Sequence, residues 1–129
     1  ISVTGVQTCA LPISERLTLA EIAGARGAIV DKARSNKLTQ GDLEGGTFTI
    51  SNLGMFGVEQ FIAVLNPPQA AILAVGATEQ RPVVRDGQIV ARPMVTLTLT
   101  VDHRAVDGAQ AAAFLQTLKA FVEDPALAL

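Results

Sequence analysis

The run Pro93-Met94-Val95-Thr96-Leu97-Thr98-Leu99-Thr100-Val101 passes directly into Asp102-His103-Arg104-Ala105-Val106-Asp107-Gly108. Its first part alternates apolar and threonine side chains, the period of a strand with two unlike faces. A helical pattern begins at Ala109, so the residues between make a strand-to-helix turn. That turn holds the only histidine in the chain. A histidine at a strand end, with acids on both sides and a glycine turn, suits a general base, because imidazole titrates near neutrality. Taken singly, each residue also has a plainer reading. His103 suits a structural role, Asp102 and Arg104 an ion pair, and Asp107 the N-cap of the following helix.

Working outward, the rest of the chain reads as mixed α and β. Thr18-Leu19-Ala20-Glu21 fits a capping box, and a helix is predicted from there to about Arg34. Leu19, Ile22, Ile29 and Ala33 supply its apolar face, while Gly24 and Gly27 weaken it. Thr39-Gln40-Gly41-Asp42 reads as a turn or single helical turn. Residues 47–51 alternate and read as a strand, followed by the glycine-punctuated loop Asn52-Leu53-Gly54-Met55-Phe56-Gly57. Residues 70–75 are continuously apolar, as in a buried strand. Residues 83–90 read as a hairpin turning at Asp86-Gly87. Ala112, Leu115, Leu118 and Val122 make a helical stripe that Pro125 ends. The predicted class is α+β, a mixed sheet with helices on one face.

Composition removes several functions. The chain of 129 residues is 49% apolar, enough for one core, but only 4% aromatic, with no Trp or Tyr. That argues against base stacking, and a net charge of −2 argues against tracking phosphates, so no nucleic-acid partner is predicted. No apolar run approaches the ~20 residues of a membrane helix. One histidine and one cysteine, Cys9, make no credible metal site. Neither a phosphate loop nor a G-x-S-x-G nucleophile elbow is present.

The motif His103-Arg104-x-x-Asp107-Gly108 resembles the active-site motif of the 2-oxo acid dehydrogenase acyltransferases, the dihydrolipoamide acyltransferase cores related to chloramphenicol acetyltransferase. The segment Gly45-Gly46-Thr47-Phe48-Thr49-Ile50-Ser51-Asn52-Leu53-Gly54-Met55-Phe56-Gly57 is similar to a second hallmark of that family, and Asn66-Pro67-Pro68-Gln69 to a third. The resemblance covers roughly residues 15–129. It implies a chloramphenicol acetyltransferase-like fold, present here as the C-terminal part of the catalytic domain. It implies acyl transfer between coenzyme A and dihydrolipoamide, the lipoamide being carried on a lipoyl domain outside this sequence. His103 matches the general base, Ser51 the hydroxyl that donates to the oxyanion, and Asp107 a residue that orients the site. The family's site lies at a subunit interface of a homotrimer, and the trimers build larger cages. Its partners are the 2-oxo acid decarboxylase and dihydrolipoamide dehydrogenase components. The loop after Ser51 most resembles the pyruvate-specific members, which favours acetyl; a succinyl or branched-chain specificity is the alternative. A non-catalytic core component is a further rival, against which the retention of His103, Ser51 and Asp107 counts. The implied compartment is the bacterial cytoplasm, with the mitochondrial matrix as the rival.

Residues 1–14 stand apart. They carry no charged side chain, and Val3 to Ile13 resembles a translated sequencing adapter. With neither a basic start nor a long apolar core they make a poor signal peptide. They are expected to be non-native, and Cys9 with them, so that the natural sequence continues upstream.

Overall fold

A computed structural model describes residues 17–128, so the expectation for residues 1–14 lies outside the described residues. Helix α1 spans Leu19–Arg34. The predicted capping box forms: Glu21 N donates to Thr18 Oγ1, and Thr18 N donates to Glu21 Oε2 at 2.8 Å. The predicted apolar face is only partly covered. Leu19 is exposed, Ile22, Ile29 and Ala33 are half-buried, and no residue of α1 is buried. The helix is tied near its C-terminal end, where Lys32 Nζ donates to Asp42 Oδ1 at 2.8 Å. Asp42 sits in a single 3-10 turn, Gln40–Asp42, where the sequence places a turn.

Strands β1 (Thr49–Asn52), β2 (Ala71–Val75) and β5 (Leu97–Val101) form one sheet in the order β1-β2-β5. β1 runs parallel to β2, and β5 antiparallel to it. The central strand is the continuous apolar run, with Ile72, Leu73 and Ala74 all buried, as expected of a strand covered on both faces. Ala63 packs with Ile72 and Ala74, flanked by Phe61 and Leu65.

Strands β3 (Glu79–Arg85) and β4 (Gln88–Met94) form a separate hairpin. Asp86 and Gly87 both take positive φ, 51° and 75°, as the two-residue turn requires. Pro82 and Pro93 are tolerated because each strand of a two-stranded ribbon is an edge. Residues 93–101 do not form the one strand that their alternation suggests. Pro93 and Met94 close the hairpin against Gln80 and Glu79, whereas Leu97 onward pairs with β2. The strand is interrupted at Val95 and Thr96, where the chain passes from one sheet to the other.

Helix α2 (Gly108–Glu123) follows β5 and touches it. Of the predicted stripe, Leu115 and Leu118 are half-buried, together with Ala111, whereas Ala112 and Val122 are exposed. Phe114 meets Phe48, just before β1, with ring centroids 5.7 Å apart.

The tightest packing lies where β2 ends. A Cβ on Gly76 would stand 2.0 Å from the Glu59 carbonyl oxygen, and one on Gly54 would stand 2.6 Å from the Gly76 carbonyl oxygen. Both neighbours are backbone, so neither can swing aside. Gly76→Ala is expected to destabilise the complete protein by about 3 kcal/mol or more, since overpacking against backbone sits at the costly end of such changes. A denaturant midpoint matching the parent would contradict this contact.

Candidate active site

The turn that carries His103 is held from three directions. Asp102 N donates to the Ala70 carbonyl at 2.8 Å, which pins the turn to the start of β2. Ala105 N and Val106 N both donate to the Asp102 carbonyl, at 2.9 and 3.0 Å. The Asp102 carboxylate accepts from Arg104 N at 3.0 Å, from Nε at 2.9 Å and from Nη2 at 2.6 Å. Asp102 and Arg104 are therefore the ion pair that their plainer reading suggests. His103 is exposed on this turn and makes no side-chain hydrogen bond among the described residues.

Arg104 holds the Asp102 carboxyl well below its ordinary value of 3.8, at about 2, through its guanidinium first and its backbone N–H second. The lowered value fixes the sign of the pH dependence. The clip is fully present above about 4 and is lost as pH falls toward about 2, where the carboxylate is protonated. A carboxyl carbon titration of Asp102 is expected to have its midpoint near 2. A midpoint at the ordinary carboxylate value would contradict the clip.

Asp107 caps α2. Its Oδ1 accepts from Gln110 N at 2.8 Å, and Gln110 Oε1 accepts from Asp107 N at 3.2 Å. This reciprocal box fixes the exit of the His103 turn.

The third motif sits beside the first. Gln69, next to Ala70, accepts from the Thr49 hydroxyl through Oε1, and Thr49 is buried. The end of β5, the start of β2 and the start of β1 are thus joined at the edge of the sheet from which His103 emerges.

Ser51 lies toward the other end. It is buried, occupies the row Ser51, Ala74, Thr98 and shares a sheet face with Thr49. Beyond it, Asn52 Oδ1 accepts from Gly54 N at 2.9 Å, and the chain takes one 3-10 turn, Gly54–Phe56. Gly57 ends that turn at φ 73°. Leu53 N donates to the Val75 carbonyl and Gly76 N to the Thr96 carbonyl, which closes this end of the sheet.

The structure therefore brings Asp107 and His103 onto one turn and leaves Ser51 apart from both. Val101, where β5 ends, lies past Thr98 by about 10 Å along the strand with His103 in the turn beyond it, and Ser51 is about 10 Å to the side of Thr98, at ordinary strand rise and spacing. Two side chains so placed do not meet within this single copy. Two residues that pack or pair at the end of β2 carry no sequence signal. Gly76 ends an apolar run without any turn signal, and Arg81 looks like any exposed hairpin cation.

Residues 3–129 match the family model described as 2-oxoacid dehydrogenases acyltransferase (catalytic domain). The chain is 42% identical over 125 residues to the dihydrolipoyllysine-residue acetyltransferase component of pyruvate dehydrogenase complex of Rickettsia bellii, covering 97% of this chain and 30% of that protein. It is 45% identical over 121 residues to the dihydrolipoyllysine-residue succinyltransferase component of 2-oxoglutarate dehydrogenase complex of Haemophilus influenzae, covering 94% and 30%. The fold superimposes on the dihydrolipoamide acetyltransferase of Azotobacter vinelandii with a TM-score of 0.82 at 38% identity, covering 89% of this chain and 48% of that one. Crystallographic and enzymatic work on that protein addressed the role of a serine, a histidine and an asparagine in its catalytic mechanism. The cubic core of the pyruvate dehydrogenase multienzyme complex also gives a TM-score of 0.82, at 37% identity and the same coverage. The chain thus spans under a third of the curated relatives and about half of the solved catalytic chains it matches.

Proposed function

Because this chain belongs to the family of 2-oxo acid dehydrogenase acyltransferase catalytic domains, we propose that the complete protein moves an acetyl group between dihydrolipoamide and coenzyme A. The observation that carries the site assignment is a spacing. Ser51 and His103 are 52 residues apart, as are the serine and histidine studied in the Azotobacter vinelandii enzyme. Asp107 stands where that enzyme has asparagine.

A thiol is a poor nucleophile until deprotonated. The His103 imidazole takes the proton of the coenzyme A thiol, and the sulfur attacks the thioester carbonyl carbon of acetyl-dihydrolipoamide. The carbonyl electron pair moves to oxygen, and the Ser51 hydroxyl donates to the resulting oxyanion. Collapse breaks the bond to the lipoyl sulfur, which takes the proton from the imidazolium. No acyl-enzyme forms, and both thiols are substrates.

Since Ser51 and His103 lie at opposite ends of the sheet, the working site takes one from each of two neighbouring copies. That calls for at least two copies, and the likeness to the cubic core of the pyruvate dehydrogenase multienzyme complex supports a homotrimer built into a larger cage. Ile62 and Val64, 78% and 87% exposed, are apolar surface that such an assembly covers. The decarboxylase and the dihydrolipoamide dehydrogenase of the complex are the partners, and the bacterial cytoplasm is the compartment.

Asp and Asn both cap helices well, so the exchange at position 107 is consistent with a positioning role through the α2 cap. Asp107→Asn is expected to keep acyl transfer within a few-fold, and Asp107→Ala to lose about 1 kcal/mol of helix stability. A large loss in Asp107→Asn would assign the carboxylate's charge to the chemistry instead. The function itself is tested by offering the complete protein acetyl-, succinyl- and branched-chain acyl-coenzyme A with dihydrolipoamide. Acetyl is expected to give the highest kcat/KM, and preference for another acyl group would overturn the acetyl reading.

A further inference from the structure

We propose that Arg81 is a positioning residue for Ser51, an inference that rests on Ser51 being the oxyanion donor. Arg81 lies on β3, outside the sheet that carries Ser51, yet its guanidinium reaches two other parts of the chain. Nη2 is buried and lies 3.0 Å from Glu59 Oε1, at an angle that makes an ion pair and no hydrogen bond. Nη1 donates to Thr96 Oγ1 at 3.4 Å.

Those two contacts bracket the tight stack at the end of β2. The Glu59 carbonyl occupies the space a side chain on Gly76 would need, and the Gly76 carbonyl that of a side chain on Gly54. Gly76 N donates to the Thr96 carbonyl at 3.0 Å, and Ala77 N to the Val58 carbonyl at 2.8 Å. Glu59 and Thr96 therefore both adjoin Gly76, and Arg81 holds both. Gly54 follows the end of β1 directly through Asn52 and Leu53, so the position of the stack sets how far Ser51 can shift. A planar guanidinium holds two acceptors at a fixed angle, which an ammonium cannot. The loop after Ser51 has no other side-chain tie to the hairpin among the described residues.

Releasing Arg81 loosens the stack, and a hydroxyl misplaced by a fraction of an ångström donates poorly to an oxyanion. The effect falls on the transition state, so kcat drops and KM for both thiols stays near the parent value. In the complete assembled protein, Arg81→Gln is expected to lower kcat about tenfold or more. Glu59→Gln, which changes only the far end of the ion pair, is expected to follow the same pattern in smaller measure and serves if Arg81→Gln does not assemble. Exchanging the charges, Arg81→Glu with Glu59→Arg, is expected to recover part of the loss seen in Arg81→Glu alone.

The deciding comparison is with Ser51→Ala. If Arg81 acts through Ser51, adding Arg81→Gln to Ser51→Ala changes kcat no further. A multiplied loss in the double variant, or a parental kcat in Arg81→Gln, overturns the positioning role while leaving Ser51 as donor. A parental kcat in Ser51→Ala alone overturns the donor reading, and this inference with it.

Discussion

Replacing His103 by alanine in the complete protein is expected to slow acyl transfer at least about a hundredfold, the usual worth of a general base. No other side chain on this turn is free to take the proton. His103 is the only histidine. The nearby carboxylates are committed elsewhere, Asp102 to Arg104 and Asp107 to the α2 cap. Asp102 is moreover held too acidic to accept a proton near neutrality. The His103→Ala protein should fold and assemble normally, because the side chain is exposed and the turn is built from backbone and Asp102 contacts. An unchanged rate would remove His103 from the chemistry and bring the non-catalytic core component forward.

Ser51→Ala carries the second large effect. Removing a single oxyanion donor lowers kcat about a hundredfold to a thousandfold elsewhere, and the same is expected here. KM should hardly move, because the hydrogen bond strengthens only as charge develops on oxygen. The substitution should be mild for folding. Ser51 is buried on a sheet face among threonines and Ala74, and its hydroxyl has no side-chain partner to strand among the described residues. A rate within a few-fold of the parent would reduce Ser51 to a packing residue.

The elements were largely legible because each has a local cause. Thr18 with Glu21, and Asp107 at the start of α2, announce their helices through capping chemistry. Asp86-Gly87 announces the hairpin through positive φ, and residues 71–75 announce a buried strand through an unbroken apolar run. What the sequence could not give is contact between distant residues. The division of residues 93–101 between two sheets depends on which partner each half finds. The close approach of Gly76 to Glu59 and Gly54 is invisible in a chain where Gly76 lies 17 and 22 residues from them. The apolar face of α1 is only partly covered; periodicity says where apolar residues point and not whether anything covers them.

The site shows the same division. His103, Asp107 and Ser51 stood out by motif, and resemblance supplied their roles. Their arrangement did not follow from spacing, since His103 and Ser51 emerge toward opposite ends of one small sheet. That separation is the physical reason the proposed chemistry belongs to a pair of copies. In the third motif, Asn66-Pro67-Pro68-Gln69, Gln69 braces Thr49 at the histidine end. Gln69→Ala should therefore act on stability, about 1–3 kcal/mol for stranding the buried Thr49 hydroxyl, measured by denaturant unfolding with kcat of the folded fraction near parental. A stability equal to the parent would show that this brace is dispensable.

The central claim is that one copy supplies His103 and its neighbour supplies Ser51. Its most direct test is to co-assemble equal amounts of complete Ser51→Ala and His103→Ala chains and assay acyl transfer. In a cyclic oligomer formed at random, about one site in four then pairs an intact serine with an intact histidine. Recovery of about a quarter of the parental rate is the predicted result. Mixed assemblies no more active than either variant alone would mean that both residues act from the same chain, contrary to the geometry described above.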